Sequence, residues 1–114
     1  MKLQKTLAVL ALFLGTAHII YGLVVFKNYS VDIVWFIGAG IAMIVVAMTN
    51  LSPASSLKMR VIQNLIMTIY TLAILGVLIA PQVILACLLF GGLLAASIGQ
   101  ALSISRGRDS KTGP

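Results

Sequence analysis

Long apolar runs broken by short polar clusters divide the chain. The first run extends from Leu7 to Phe26 and gives way to Lys27-Asn28-Tyr29-Ser30-Val31-Asp32. A second run ends near Thr49, where Asn50 to Ser56, with Ser52-Pro53 inside, is rich in turn formers. Two further runs are separated only by Pro81, which suits the first turn of a helix because its missing N–H is unpaired there anyway. None of the runs alternates apolar and polar residues with period 2, so the pattern predicts helices and not strands. It places them at about residues 5–26, 33–49, 57–80 and 82–104. Each has roughly the 20 residues that a helix needs to cross a bilayer. Asp32 falls near the start of the second helix, and Ser55 or Ser56 can cap the third. The polar residues 105–114 read as a basic, disordered tail.

Composition turns this helical pattern into a membrane protein. Of 114 residues, 61% are hydrophobic and 9% charged. Soluble domains are about 45–50% apolar and about 25% charged, and a domain this small has too much surface to hide the excess. A bilayer removes the contradiction, and helices satisfy every backbone polar group within themselves. The fold class expected is an all-α, four-transmembrane-helix bundle over residues 1–104. The first apolar run is too long for a signal-peptide core of about 7–15 residues and reads as a retained span.

A net charge of +6 would suggest nucleic acid in a soluble protein. Here the basic residues sit at helix ends without interleaved aromatics, so no nucleic-acid partner is expected. Seven of them, Lys2, Lys5, Lys58, Arg60, Arg106, Arg108 and Lys111, fall on one side of the spans, and only Lys27, beside Asp32, falls on the other. The positive-inside rule then puts both termini in the cytoplasm, in a bacterial inner membrane. Tyr21, Tyr29 and Trp35 group at the opposite interface, where amphipathic rings are favoured. Arg106, Arg108 and Lys111 are expected to meet anionic lipid headgroups.

Candidate chemistry centres on His18, the only histidine, in Gly15-Thr16-Ala17-His18-Ile19-Ile20-Tyr21-Gly22. Gly15, His18 and Gly22 share one helical stripe. An imidazole in hydrocarbon needs partners, and Tyr21, Trp35, Tyr70 and Thr71 are candidates at similar depth. A second polar group, Asn64 and Thr68 with Thr71 at i, i+4, i+7, has Gln63 beside it and Gln100 at the depth of Asn64. The readings are interhelical hydrogen bonding, or a polar-lined cavity accepting a headgroup or amphipathic solute. Haem ligation lacks a second histidine, so no cofactor is expected. Asp32 and Asp109 are the only carboxylates, and both lie outside the spans. No paired acids, nucleophile triad, phosphate loop or metal cluster is visible, and the single Cys87 excludes an internal disulfide. An enzyme is not expected.

Small residues suggest close helix packing: Gly38 and Gly40 on the second helix, and Gly91, Gly92, Ala95, Ala96 and Gly99 on the fourth. They would serve intrachain packing or a homo-oligomer. A shift of 54 residues aligns Gly22 with Gly76, Phe36 with Phe90 and Gly38 with Gly92, which suggests two similar hairpins.

The pattern Gly15-x-x-His18-x-x-x-Gly22 with Trp35-Phe36-Ile37-Gly38-Ala39-Gly40, then Asn50-Leu51, resembles uncharacterised small bacterial four-helix membrane proteins. The resemblance covers the first two helices and implies a fold and a compartment, not an activity. In size and layout the chain also resembles small multidrug-resistance transporters. Those use a membrane-embedded glutamate, and the chain has no glutamate. The function expected is therefore a non-enzymatic membrane protein acting through lipid or protein contacts. The alternative is a small transporter or channel subunit whose path passes His18 and Asn64.

Overall fold

The computed structural model describes residues 2–28 and 30–112, with side chains described as far as Gly107. Tyr29 and the side chains of Arg108, Asp109 and Lys111 lie outside the described residues. The chain forms α1 (Lys2–Val25), α2 (Val31–Leu51), α3 (Leu57–Val77) and α4 (Pro81–Thr112). All four are long and apolar enough to cross a membrane. Connections of three to five residues make the helices alternate in direction. Lys2, Lys5, Lys58, Arg60 and the C-terminal part of α4 consequently share one end, called here the basic end.

Local chemistry sets the helix ends. Ser30 caps α2, its hydroxyl accepting from the Ile33 N–H at 3.4 Å, and Ser56 caps α3 by accepting from the Met59 N–H at 3.1 Å. Ser55 has a different task from the capping considered for it. Its hydroxyl donates to the Thr49 carbonyl and accepts from Arg60 Nε at 2.8 Å. The Arg60 guanidinium also donates to the Ser52 carbonyl at 2.6 Å, so one side chain ties the connection between α2 and α3 to the start of α3.

Several helix ends differ from expectation: α1 begins at Lys2 instead of residue 5, α2 covers Val31–Leu51 instead of 33–49, and the ends of α3 and α4 also move. α3 ends at Val77, three residues early, so that residues 78–80 can turn the chain before Pro81. α4 does not stop at residue 104 to leave a disordered tail; it continues through Thr112. Residues 105–112 carry no proline, and one glycine within them costs only about 1 kcal/mol against a helix already propagating.

Each helix turns one stripe inward, spaced alternately by three and four residues. On α1 it is Gln4, Ala8, Ala11, Gly15, His18 and Gly22; on α2 it is Ile33, Phe36, Gly40, Met43, Ala47 and Asn50. Asn64, Met67 and Thr71 continue it on α3, and Ala86, Phe90, Leu93 and Ser97 on α4. This 3.5-residue spacing lets the stripes stay in register along a bundle. Phe90 and Leu93 are fully buried at its centre, against Met43, Met67 and Ala47.

The outward faces carry large apolar side chains, among them Phe13, Trp35, Leu88 and Val77, which is 91% exposed. The buried residues include Gln4, Asn50, Asn64, Thr71 and Ser97. Polar groups inside and apolar groups outside invert the arrangement of a domain dissolved in water.

Candidate functional site

Two places on the inner stripes carry polar chemistry, and they are separate. The first closes the basic end with one side chain from each helix. Asn50 Nδ2 donates to Asn64 Oδ1 at 2.8 Å, and Asn64 Nδ2 donates back to Asn50 Oδ1 at 2.9 Å. Gln4 Nε2 donates to the same Asn50 oxygen at 3.2 Å. Asn64 Nδ2 also reaches the Leu93 carbonyl at 3.3 Å and Ser97 Oγ at 3.4 Å. These amides and the hydroxyl spend their hydrogen-bonding capacity on one another and on helix carbonyls. That leaves them little with which to bind a solute.

The second place lies toward the other end, and over their whole length α2 and α3 make the sparsest contact of any neighbouring pair. A cleft of about 360 Å³ opens there. Asp32 and Gln82 stand at its rim, Phe26, Trp35, Phe36 and Tyr70 on its upper walls, and Leu14, Met43 and Met67 at its floor. From Asp32 to Met43 is eleven residues of α2, about 16 Å at 1.5 Å per residue. His18 lines this cleft and also an adjoining hollow shared with Ala17 and Tyr21.

The imidazole is held by stacking. Its ring lies 3.7 Å from that of Phe36 with an interplanar angle of 11°. Tyr21 and Phe26 tilt against the same Phe36 ring at 5.9 and 5.5 Å. Among the described residues, no hydrogen bond joins His18 to Trp35, Tyr70 or Thr71. Thr71 Oγ1 instead donates to the Thr68 carbonyl at 3.1 Å. Those three side chains share the cleft with His18 without binding its ring.

Asn64, Thr68 and Gln100 do not line the cleft. Thr68 Oγ1 is turned onto the Asn64 carbonyl of its own helix at 2.7 Å, and Gln100 Oε1, like Gln63 Oε1, is buried without a partner. His18 therefore lines the cleft and Asn64 does not, with Thr68 and Thr71 between them on α3. Gln4, Asn50 and Ser97 are the partners that sequence reasoning missed. All lie at the depth of Asn64 on the 3.5-residue stripes, and that coincidence was the available signal.

The small residues divide in the same physical way. A Cβ placed on Gly15 would lie 3.0 Å from the Gly40 carbonyl oxygen, and one on Gly40 would lie 2.5 Å from Ile19 Cγ1 and 3.0 Å from the Gly15 carbonyl oxygen. α1 and α2 cross backbone to backbone there. Gly22 packs on the Phe36 ring and Gly92 on Leu7. Gly38, Gly91 and Gly99 meet nothing within 4 Å, Ala95 is exposed and Ala96 only half-buried, so of the three fourth-helix glycines named only Gly92 makes a close contact within the chain. The 54-residue correspondence does not extend to surroundings: Gly22 is buried and Gly76 open, while Gly92 packs and Gly38 does not.

Among the described residues no group of three or more His, Cys, Asp or Glu is placed to hold a metal. No family model, curated protein or solved structure matches the chain.

Proposed function

We propose that this is a multi-pass protein of a bacterial cytoplasmic membrane, with both termini cytoplasmic, that holds a small amphipathic ligand taken from the lipid phase. The observation that carries the reading is the cleft between α2 and α3: about 360 Å³, apolar at its floor, polar at its rim, and bordered by faces suited to lipid. Ligand sites commonly have this balance of apolar wall and few polar groups, at about 300–1,000 Å³. The inverted distribution of polar and apolar residues supports the membrane assignment, and the basic residues grouped at one end support the orientation. Binding, not catalysis, is the activity, because the polar groups that face one another are amides and hydroxyls occupied in holding helices together. Arg106, with Arg108 and Lys111 further along α4, contacts anionic headgroups. At 32 residues α4 is about 48 Å long and outreaches a hydrocarbon core of about 30 Å.

The test is photolabelling in nanodiscs with a fatty alcohol that carries a diazirine. Label on the peptides containing Met43 and Met67, competed by unlabelled alcohol and removed by Ala39→Phe, which fills the cleft, is the expected result. Uncompeted label confined to outward residues such as Ile41 and Val45 would refute the proposal.

A further inference from the structure

The cleft described above has a sign and a shape as well as a volume. Only two residues of the chain are acidic, and one of them, Asp32, stands at the cleft rim. Among the described residues it makes no ion pair, although Lys27 lies on the connection that leads into α2. Its place in the first turn of α2 already favours the helix N-terminus. That role requires no aromatic-walled cleft beneath it. The rings of Trp35, Phe36 and Tyr70 line the same cleft, Trp35 and Phe36 about one turn further along α2 than Asp32.

A carboxylate above aromatic faces attracts a cation: the charge pairs with Asp32, and ring quadrupoles attract the same group. An anionic headgroup would meet repulsion at the rim. Beyond His18 and Thr71, which also line the cleft, the walls are apolar at Leu14, Met43 and Met67. The cleft volume of about 360 Å³ lies at the low end of ligand sites, enough for one slender chain and not for a two-chain lipid.

We propose that the cleft takes a single-chain lipophilic cation, an amphipathic amine or alkylammonium. Its head lies between Asp32 and the Trp35 and Phe36 rings, and its chain runs toward Met43. The inference rests on the ligand-holding reading of the cleft and adds the charge of the occupant.

Trp35 is the only tryptophan, so its fluorescence reports occupancy directly. The full chain in phosphatidylcholine nanodiscs is titrated with a bromine-labelled alkyltrimethylammonium, the alcohol of the same chain, and the corresponding carboxylate, at matched bilayer mole fractions. Saturable quenching by the cation at about tenfold lower concentration than by the alcohol is expected, from an ion pair and a cation–ring contact acting together. Asp32→Asn should remove that preference without altering quenching by the alcohol, and Asp32→Glu should keep it. Equal saturable quenching by cation and alcohol, unaffected by Asp32→Asn, overturns the cation assignment and leaves the cleft reading standing. Saturable quenching by a brominated two-chain phospholipid that the cation cannot displace also overturns it. Saturable quenching by none of the probes overturns the cleft reading itself.

Discussion

The reciprocal amide pair at the basic end offers the sharpest test of what holds the bundle together. Asn64→Ala removes both hydrogen bonds to Asn50, at 2.8 and 2.9 Å, together with the longer ones to the Leu93 carbonyl and Ser97. Interhelical hydrogen bonds in membranes average about 0.6 kcal/mol with a maximum near 1.7. Two short and two long bonds, with a small void left by the lost amide, put the cost at about 2–4 kcal/mol. Asn50→Ala should cost a similar amount, because it strands Gln4 as well as Asn64. In the double variant the shared pair is lost only once and neither amide is left facing a missing partner. The combined cost should then fall short of the sum by about 1–3 kcal/mol. Unfolding in mixed micelles of increasing dodecyl sulfate, followed by far-ultraviolet circular dichroism and Trp35 emission, measures all four corners of the cycle. A single substitution costing under about 0.5 kcal/mol, or costs that simply add, would refute the claim that these amides satisfy each other.

Gly40→Ala, whose Cβ would lie 2.5 Å from Ile19 Cγ1, should destabilise by about 1–3 kcal/mol in the same assay. Gly91→Ala, which meets open space, should be neutral or up to about 1 kcal/mol stabilising through helix propensity, and equal effects would contradict the α1–α2 crossing. For orientation, Asn28→Cys in a Cys87→Ser background should react with an impermeant maleimide on intact cells, whereas Ser56→Cys should react only after permeabilisation. The opposite pattern would reverse the topology.

The His18 neighbourhood illustrates how far residues alone can be read. Its stripe with Gly15 and Gly22 follows from helical geometry, and so does the depth that sets it near Phe36, Tyr70 and Thr71. What the imidazole touches does not follow. A ring in a cleft can be held by hydrogen bonds or by stacking, and the choice depends on how far apart α2 and α3 stand. Here Thr71 turns back onto its own helix and Phe36 takes the imidazole face. The fourth-helix glycines show the same limit. Small residues permit close approach, but Gly91 and Gly99 face outward because the rotation of α4 is set by Phe90, Leu93 and Ser97.

Helix number and the apolar character of each helix were determined by the sequence, because both depend on local composition and on backbone bonds made within a segment. Charge grouping was equally legible, since it needs only the order of spans. Pairing was decided by the tertiary structure. Gln4, Asn50, Asn64 and Ser97 lie on four different helices, and their meeting depends on rotation and depth together. The cleft depends on the same kind of information: its floor and rim come from all four helices, and its volume is the space left where one pair of them fails to close. An absence of contact is a property of the assembled bundle, and no single apolar run encodes it.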